Sequence, residues 1–287
     1  MKFPEKLHAF LRLIRVEHGI MLALAVLISE FIVLRRVYLF SPVIILSLLV
    51  PFLHEMASFA LYDFLDIKAD KLNKRTDKPL VGGKISKQTA IYTVIFGYAL
   101  SILLAYFLNP VCFAIALGFA ALSIMYNYWL KDLPLLGNAY ISASMAIPFI
   151  FGNLAVFPTL HPAVVSLSLI AFLGGMGREI IKSAEDAFGD RKARNSKTLP
   201  LVIGTENSLK IASLFYFAFI LSTLLIFSFD KKPTLIPMLF VLAADTAVLG
   251  IALCLLRSRT HHNLSMARKL SLIAFIIGLV GVFLACL

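Results

Sequence analysis

Asp63, Asp66 and Asp70, in the stretch YDFLDIKAD, stand at i, i+3 and i+7. About 120 residues later Ser183, Asp186 and Asp190 repeat that spacing, with Glu185 beside them. On a helical period of 3.6 residues each set falls on one face of a helix. Carboxylates held so close repel one another unless something neutralises them. Hard oxygen donors of this kind suit Mg2+, which takes a few carboxylates together with substrate phosphates and water. Basic residues run through the same segments: Lys68, Arg75 and Lys78 near the first set, and Arg178 and Lys182, at i, i+4, before the second. Metal bridges plus Arg and Lys clamps make a diphosphate site. Two plainer readings stand beside it. Lys68, Lys71 and Lys74 can pair with the first acids at a solvated helix end, and basic residues beside an apolar span can serve topology alone. Downstream the segments echo each other again, as Asp77-Lys78-Pro79-Leu80 and Lys197-Thr198-Leu199-Pro200. A parallel duplication of about four helices explains this, and so do the shared demands of one substrate.

The elements that must position these residues are read from hydropathy. Hydrophobic residues make up 60% of the 287 positions and charged ones 15%, too little polar surface for a soluble globule. Apolar runs long enough to cross a bilayer lie at 17–34, 40–62, 87–108, 110–127, 137–157, 162–182, 207–229, 234–256 and 266–286. The expected fold is therefore an all-α integral membrane protein of about nine transmembrane helices, in a single domain over 1–287. Only the turn signal Asn109-Pro110 divides the third run from the fourth. The first run has no small-residue cleavage site, so it reads as a span and not as a signal peptide.

With the N-terminus cytoplasmic, 23 of the 27 Lys and Arg residues fall on the inside, leaving Arg35, Arg36, Lys231 and Lys232 outside. The net charge of +11 is then a topology signal reinforced by attraction to anionic membrane lipid, and nucleic-acid binding has no support. Both acid sets follow even-numbered spans, so both are expected at the cytoplasmic face of the cell membrane. A transporter would place its ionisable groups nearer the midplane, at broken helices within inverted repeats. Acids at one face and a parallel echo favour an enzyme.

Within the spans, Glu55 lies 11 residues before Asp66, hence close to the same helical face. It is expected either to line a cavity as an acceptor contact or base, or to form a polar pair with His54 between helices. Glu30 and Asp245 are further intramembrane acids with no assigned role. Cys112, Cys254 and Cys286 have no paired spacing and are expected to be buried small hydrophobes.

Four longer stretches, RLIRVEHG, YDFLDIKADKLNKRTDKPLVGGKIS, YNYWLKDLPLLGN and GREIIKSAEDAFGDRKARNSKTLPLVIG, together resemble the UbiA superfamily of intramembrane prenyltransferases along almost the whole chain. The resemblance implies a helix bundle around a central, lipid-open cavity in which two Asp-rich motifs hold Mg2+ and an isoprenyl diphosphate. The allylic diphosphate ionises there and an acceptor captures the carbocation. Carried over residue by residue, Asp63, Asp66, Asp70, Asp186 and Asp190 become catalytic, metal-holding residues. Lys78, Lys131, Arg178, Lys182, Tyr62, Ser183 and Asn138 join Glu55 as expected substrate contacts. Tyr62 stands where the family usually has Asn, and Ser183 where it usually has Asp. Tyr62 suits either a phosphate contact or the interfacial aromatic belt.

LKDLPLLGN, with Lys131 and Asn138, together with REIIK and LPLVIG, is similar to the archaeal lipid-forming branch of that superfamily. Its members join a geranylgeranyl chain, through an ether bond, to the free hydroxyl of geranylgeranylglyceryl phosphate. An acceptor with its own phosphate needs further cations, for which Arg12, Arg15, Lys131 and Arg178 are candidates. The competing expectation is an aromatic acceptor in quinone biosynthesis, since the 24 Phe suit the wall of a ring pocket as well as a lipid-facing surface. No obligate protein partner is evident.

Overall fold

The structure is a computed structural model that describes residues 3–35, 39–72, 74–190, 197–225, 235–257 and 260–286. Its helices are α1 (Phe3–Ile14), α2 (Val16–Leu34), α3 (Pro42–Leu65), α4 (Ile67–Leu72), α5 (Lys87–Leu108), α6 (Pro110–Tyr128), α7 (Leu136–Val156), α8 (Pro162–Asp190), α9 (Leu199–Thr223), α10 (Leu235–Arg257) and α11 (His261–Cys286), with one 3-10 turn at Leu130–Asp132. No strand occurs among the described residues. Among the described residues eight helices, α2, α3, α5 to α8, α10 and α11, are long and apolar enough to cross a membrane. The protein is a multi-pass membrane protein. The expected span 207–229 falls on α9, which carries Glu206, Asn207 and Lys210 and bends at Gly204 (φ 83). Residues 226–229 of that span lie outside the described residues.

One local expectation, the burial of Cys254, is corrected. Before the first expected span, α1 is a separate helix whose Ala9 and Leu13 are buried where it packs on α3. Arg15, at φ 44, breaks it from α2. The expected span 162–182 continues as helix to Asp190. Cys254 is exposed, unlike the buried Cys112; on a helix that crosses lipid, a small apolar side chain need not face protein.

The chain divides into two compact units. In the first, α3 packs against α1, α5 and α6, and α5 lies on α6. Close approach is possible because Gly97 has no Cβ: one added there would lie 2.9 Å from the Ala57 Cβ and 3.2 Å from the Leu53 carbonyl oxygen. Such small-residue contacts hold helices together where lipid leaves no hydrophobic drive. Hydroxyls add to it. The Tyr98 OH donates to Ser123 Oγ at 2.7 Å and lies 3.1 Å from Ser58 Oγ, so α3, α5 and α6 share one satisfied polar ring. Glu30 Oε1 also accepts from Ser47 Oγ within this unit.

The α5–α6 connection is built by Asn109. Its Nδ2 donates to the Leu154 carbonyl at 2.8 Å and its Oδ1 accepts from the Cys112 N–H at 2.9 Å, while Pro110 starts α6 where no N–H is needed. Asn109→Ala removes both bonds and is expected to cost about 1 kcal/mol, measured as a lowered midpoint of thermal unfolding in detergent.

In the second unit α8 packs on α9 and α11, and α10 packs on α9 and α11. Ser213 Oγ of α9 donates to the Ala252 carbonyl of α10 at 3.1 Å. Asp245, the other intramembrane acid, accepts from Thr223 Oγ1 at 2.8 Å.

Candidate active site

The first acid set does not lie on one continuous helix. α3 stops at Leu65, and Asp66 caps it at φ −86, ψ 2, its N–H bonded to the Tyr62 carbonyl. The Asp70 N–H then bonds to the Asp66 carbonyl at 2.8 Å from within α4. Asp63, Asp66 and Asp70 are all at least nine-tenths buried, at 3%, 4% and 5% exposure.

Like charges this deep need opposite charges, and the chain supplies them. Lys78, itself 7% exposed, donates from Nζ to Asp63 Oδ1 at 3.1 Å and to Asp70 Oδ2 at 2.7 Å. Arg15 approaches Asp63 to 3.6 Å and the more exposed Arg75 approaches Asp70 to 3.9 Å. Lys78 was expected as a phosphate contact; here it is bound by two carboxylates. Tyr62 belongs to the same group, its ring 5.1 Å from Lys78 Nζ and 5.8 Å from the Arg15 guanidinium carbon. The Arg15 guanidinium also lies 4.1 Å over the Phe59 ring, a stacked position that holds it beside Asp63. Arg12 pairs with Asp77 at 3.9 Å on the surface.

The second set lies on the last turns of α8. Asp186 is exposed and Ser183 half-buried. Ser183 Oγ donates to the Glu179 carbonyl at 3.0 Å and accepts from Asn138 Nδ2 at 2.9 Å. Asn138, near the start of α7, is thereby joined to the motif. The Asp190 side chain lies outside the described residues.

Arg178 and Lys182 both turn to Glu179, at 3.0 and 3.6 Å. Glu179 is 5% exposed and was not singled out in the sequence, although the pattern REIIK places it directly between the two basic residues. Arg268 of α11 pairs with Glu185 at 3.2 Å, a contact that no local pattern announces. Lys131 sits half-buried in the 3-10 turn, and Glu55 half-buried within α3. Thus Asp63, Asp70, Lys78 and Tyr62 come together, as do Ser183 and Asn138, whereas Arg178 and Lys182 meet an acid outside the expected set.

Among the described residues no three His, Cys, Asp or Glu side chains are gathered as a metal cage. Mg2+ does not ask for one: it is commonly held by one or two carboxylates while substrate phosphates and waters complete its octahedron. Buried aspartates without thiolate or imidazole neighbours fit that requirement.

Buried carboxylates paired with Lys and Arg thus stand at the ends of apolar helices in a multi-pass membrane protein. The chain belongs to the UbiA prenyltransferase family, whose model matches residues 21–276. It is 33% identical over 285 residues to the digeranylgeranylglyceryl phosphate synthase of Archaeoglobus fulgidus, covering 96% of this chain and 94% of that one. The synthase of the same name from Pyrococcus furiosus is 32% identical over 221 residues, 75% of this chain and 77% of that one. A solved digeranylgeranylglyceryl phosphate synthase structure superposes with a TM-score of 0.82 at 26% identity, covering 98% of this chain and 99% of the other. The fold is also shared, at a TM-score of 0.66 and 20% identity over 95% and 98% of the two chains, with a UbiA homologue from Archaeoglobus fulgidus bound to DMAPP and Mg2+.

Proposed function

We propose that this protein is a Mg2+-dependent prenyltransferase that makes digeranylgeranylglyceryl phosphate from geranylgeranyl diphosphate and geranylgeranylglyceryl phosphate. The observation that carries the reading is similarity to the Archaeoglobus synthase over nearly the full length of both chains. The whole chain acts as a single catalytic domain, its N-terminus and both acid motifs on the cytoplasmic side of the cell membrane, as the placing of Lys and Arg supports.

In the reaction the allylic C–O bond breaks heterolytically, and the diphosphate leaves with the electron pair. The acceptor hydroxyl oxygen forms the ether bond to the allylic carbon and loses its proton. Mg2+, when bound, neutralises the charge that develops on the leaving diphosphate.

Asp66, Asp70, Asp186 and Asp190 are assigned to holding the metal, with Asp63 assisting. Lys78, Arg178 and Lys182 are assigned to phosphate oxygens, where preplaced cations favour bond breaking more than substrate binding. Tyr62 and Ser183 support them, Tyr62 beside Lys78 and Ser183 through Asn138. Lys131, half-buried in the 3-10 turn before α7, is the proposed contact for the acceptor's own phosphate. Glu55 is the proposed acceptor contact within the bundle.

Purified full-length protein, given geranylgeranyl diphosphate and Mg2+, is expected to release pyrophosphate with geranylgeranylglyceryl phosphate as acceptor. It should do so at least about a hundredfold faster than with 4-hydroxybenzoate, since discarding a bound phosphate leaves its cations unpaired. Equal or faster turnover of the aromatic acid, followed by product mass, would overturn the acceptor assignment.

A further inference from the structure

We infer that Lys78 is a placeholder cation for the first motif, which makes divalent metal binding there depend on the arrival of a diphosphate; this rests on the reading of that motif as the diphosphate site. The Lys78 ammonium stands at hydrogen-bond distance from both Asp63 and Asp70. A metal ion cannot join the same two oxygens while it stays, because two cations would share one gap between two carboxylates.

The ammonium is also not free to drift into water. Its side chain is 8% exposed, and the backbone that carries it is tied: the Lys78 N–H bonds to the Arg75 carbonyl, and the Lys78 carbonyl accepts from the Gly82 N–H at 2.9 Å. A Cβ at Gly82 would lie 2.6 Å from the Thr76 carbonyl oxygen, so this turn is already packed tightly. Displacement is therefore a swing of the side chain alone.

Metal arriving by itself would strand a buried ammonium without an anion, a costly arrangement. Metal arriving with a diphosphate supplies phosphate oxygens as the new partners. The Tyr62 ring, 5.1 Å from Nζ, offers a cation-stabilising face along the way. The same side chain thus holds the carboxylates apart from solvent metal and is left aimed at the phosphate once metal and diphosphate enter together. Arg15 and Arg75, farther from the acids and more exposed, act in the same sense but more weakly.

The test is Mn2+ binding to full-length protein in detergent, read as free Mn2+ by electron paramagnetic resonance, with and without inorganic pyrophosphate. Binding of Mn2+ by pyrophosphate in solution is subtracted. For the unsubstituted protein, pyrophosphate should tighten Mn2+ binding about tenfold or more. Lys78→Gln should bind Mn2+ without pyrophosphate about ten- to hundredfold more tightly than the unsubstituted protein, the usual effect of removing one adjacent like charge. Its response to pyrophosphate should shrink accordingly. Lys78→Arg, which keeps the charge, should behave like the unsubstituted protein.

Equal Mn2+ affinity of Lys78→Gln and unsubstituted protein, with the pyrophosphate response intact, overturns the inference and leaves the proposed function standing. Absence of Mn2+ binding even with pyrophosphate overturns both. Should Lys78→Gln not fold, the unsubstituted protein decides alone: Mn2+ affinity unchanged by pyrophosphate rejects the placeholder.

Discussion

Asp66→Ala and Asp186→Ala are each expected to lower pyrophosphate release by about a thousandfold or more, while thermal unfolding in detergent moves by only a few degrees. The rate loss follows from the charge that leaves with the diphosphate. Without its metal-holding carboxylates, that charge develops with far less stabilisation. The small effect on stability follows from geometry. The bonds that Asp66 contributes to the end of α3 run through its backbone N–H and carbonyl, and alanine keeps both. Asp186 is an exposed position on α8, where alanine is a better helix former than aspartate. Turnover that survives either substitution refutes the metal assignment.

Gly177→Ala is expected to destabilise the protein by about 3 kcal/mol and to abolish most of the activity through α8. A Cβ on Gly177 would overlap the Cε1 and Cδ1 atoms of Tyr216. That ring has nowhere to go: Tyr216 is completely buried, and the Phe275 ring lies against it with centroids 6.3 Å apart. Gly174, one turn earlier, meets Phe219 and Phe275 in the same way. The two glycines form the groove by which α8 accepts its aromatic neighbours. An added methyl therefore pushes α9 from the helix that carries Arg178, Ser183 and Asp186. Tyr216→Leu placed on Gly177→Ala should recover part of both stability and turnover, a non-additivity expected only of residues in contact. Additive losses in the double mutant would refute the packing account.

Much of this fold was legible from hydropathy because lipid imposes it: a helix that crosses the bilayer must satisfy its own backbone and show apolar side chains outward. The expected runs 87–108 and 110–127 end within a residue of α5 and α6, since Asn109 and Pro110 mark the turn between them. The two acid motifs were legible for a similar reason, being charges where few are tolerated.

What was not legible depends on side chains distant in sequence. α1 escaped notice because its amphipathic pattern is short and rich in charge, and the break after it needs Arg15 in a left-handed conformation that favours glycine. The pairing of Lys78 with Asp63 spans 15 residues and a turn, so no helical period encodes it. Arg268 and Glu185 are farther apart still. Glu179 was visible but unweighted: between Arg178 and Lys182 it reads as an ordinary alternation of surface charge, and only burial reveals its role.

The interruption of the helix at Asp66 has a consequence for reach. On one unbroken helix Asp63 and Asp70 would stand two turns apart, with about 10 Å of rise between their α-carbons, a long gap for one ammonium to close. Asp63 is carried on α3 and Asp70 on α4, on either side of the joint at Asp66, and one nitrogen touches both acids, at 3.1 and 2.7 Å. The Lys78 ammonium therefore bridges the joint between the two helices.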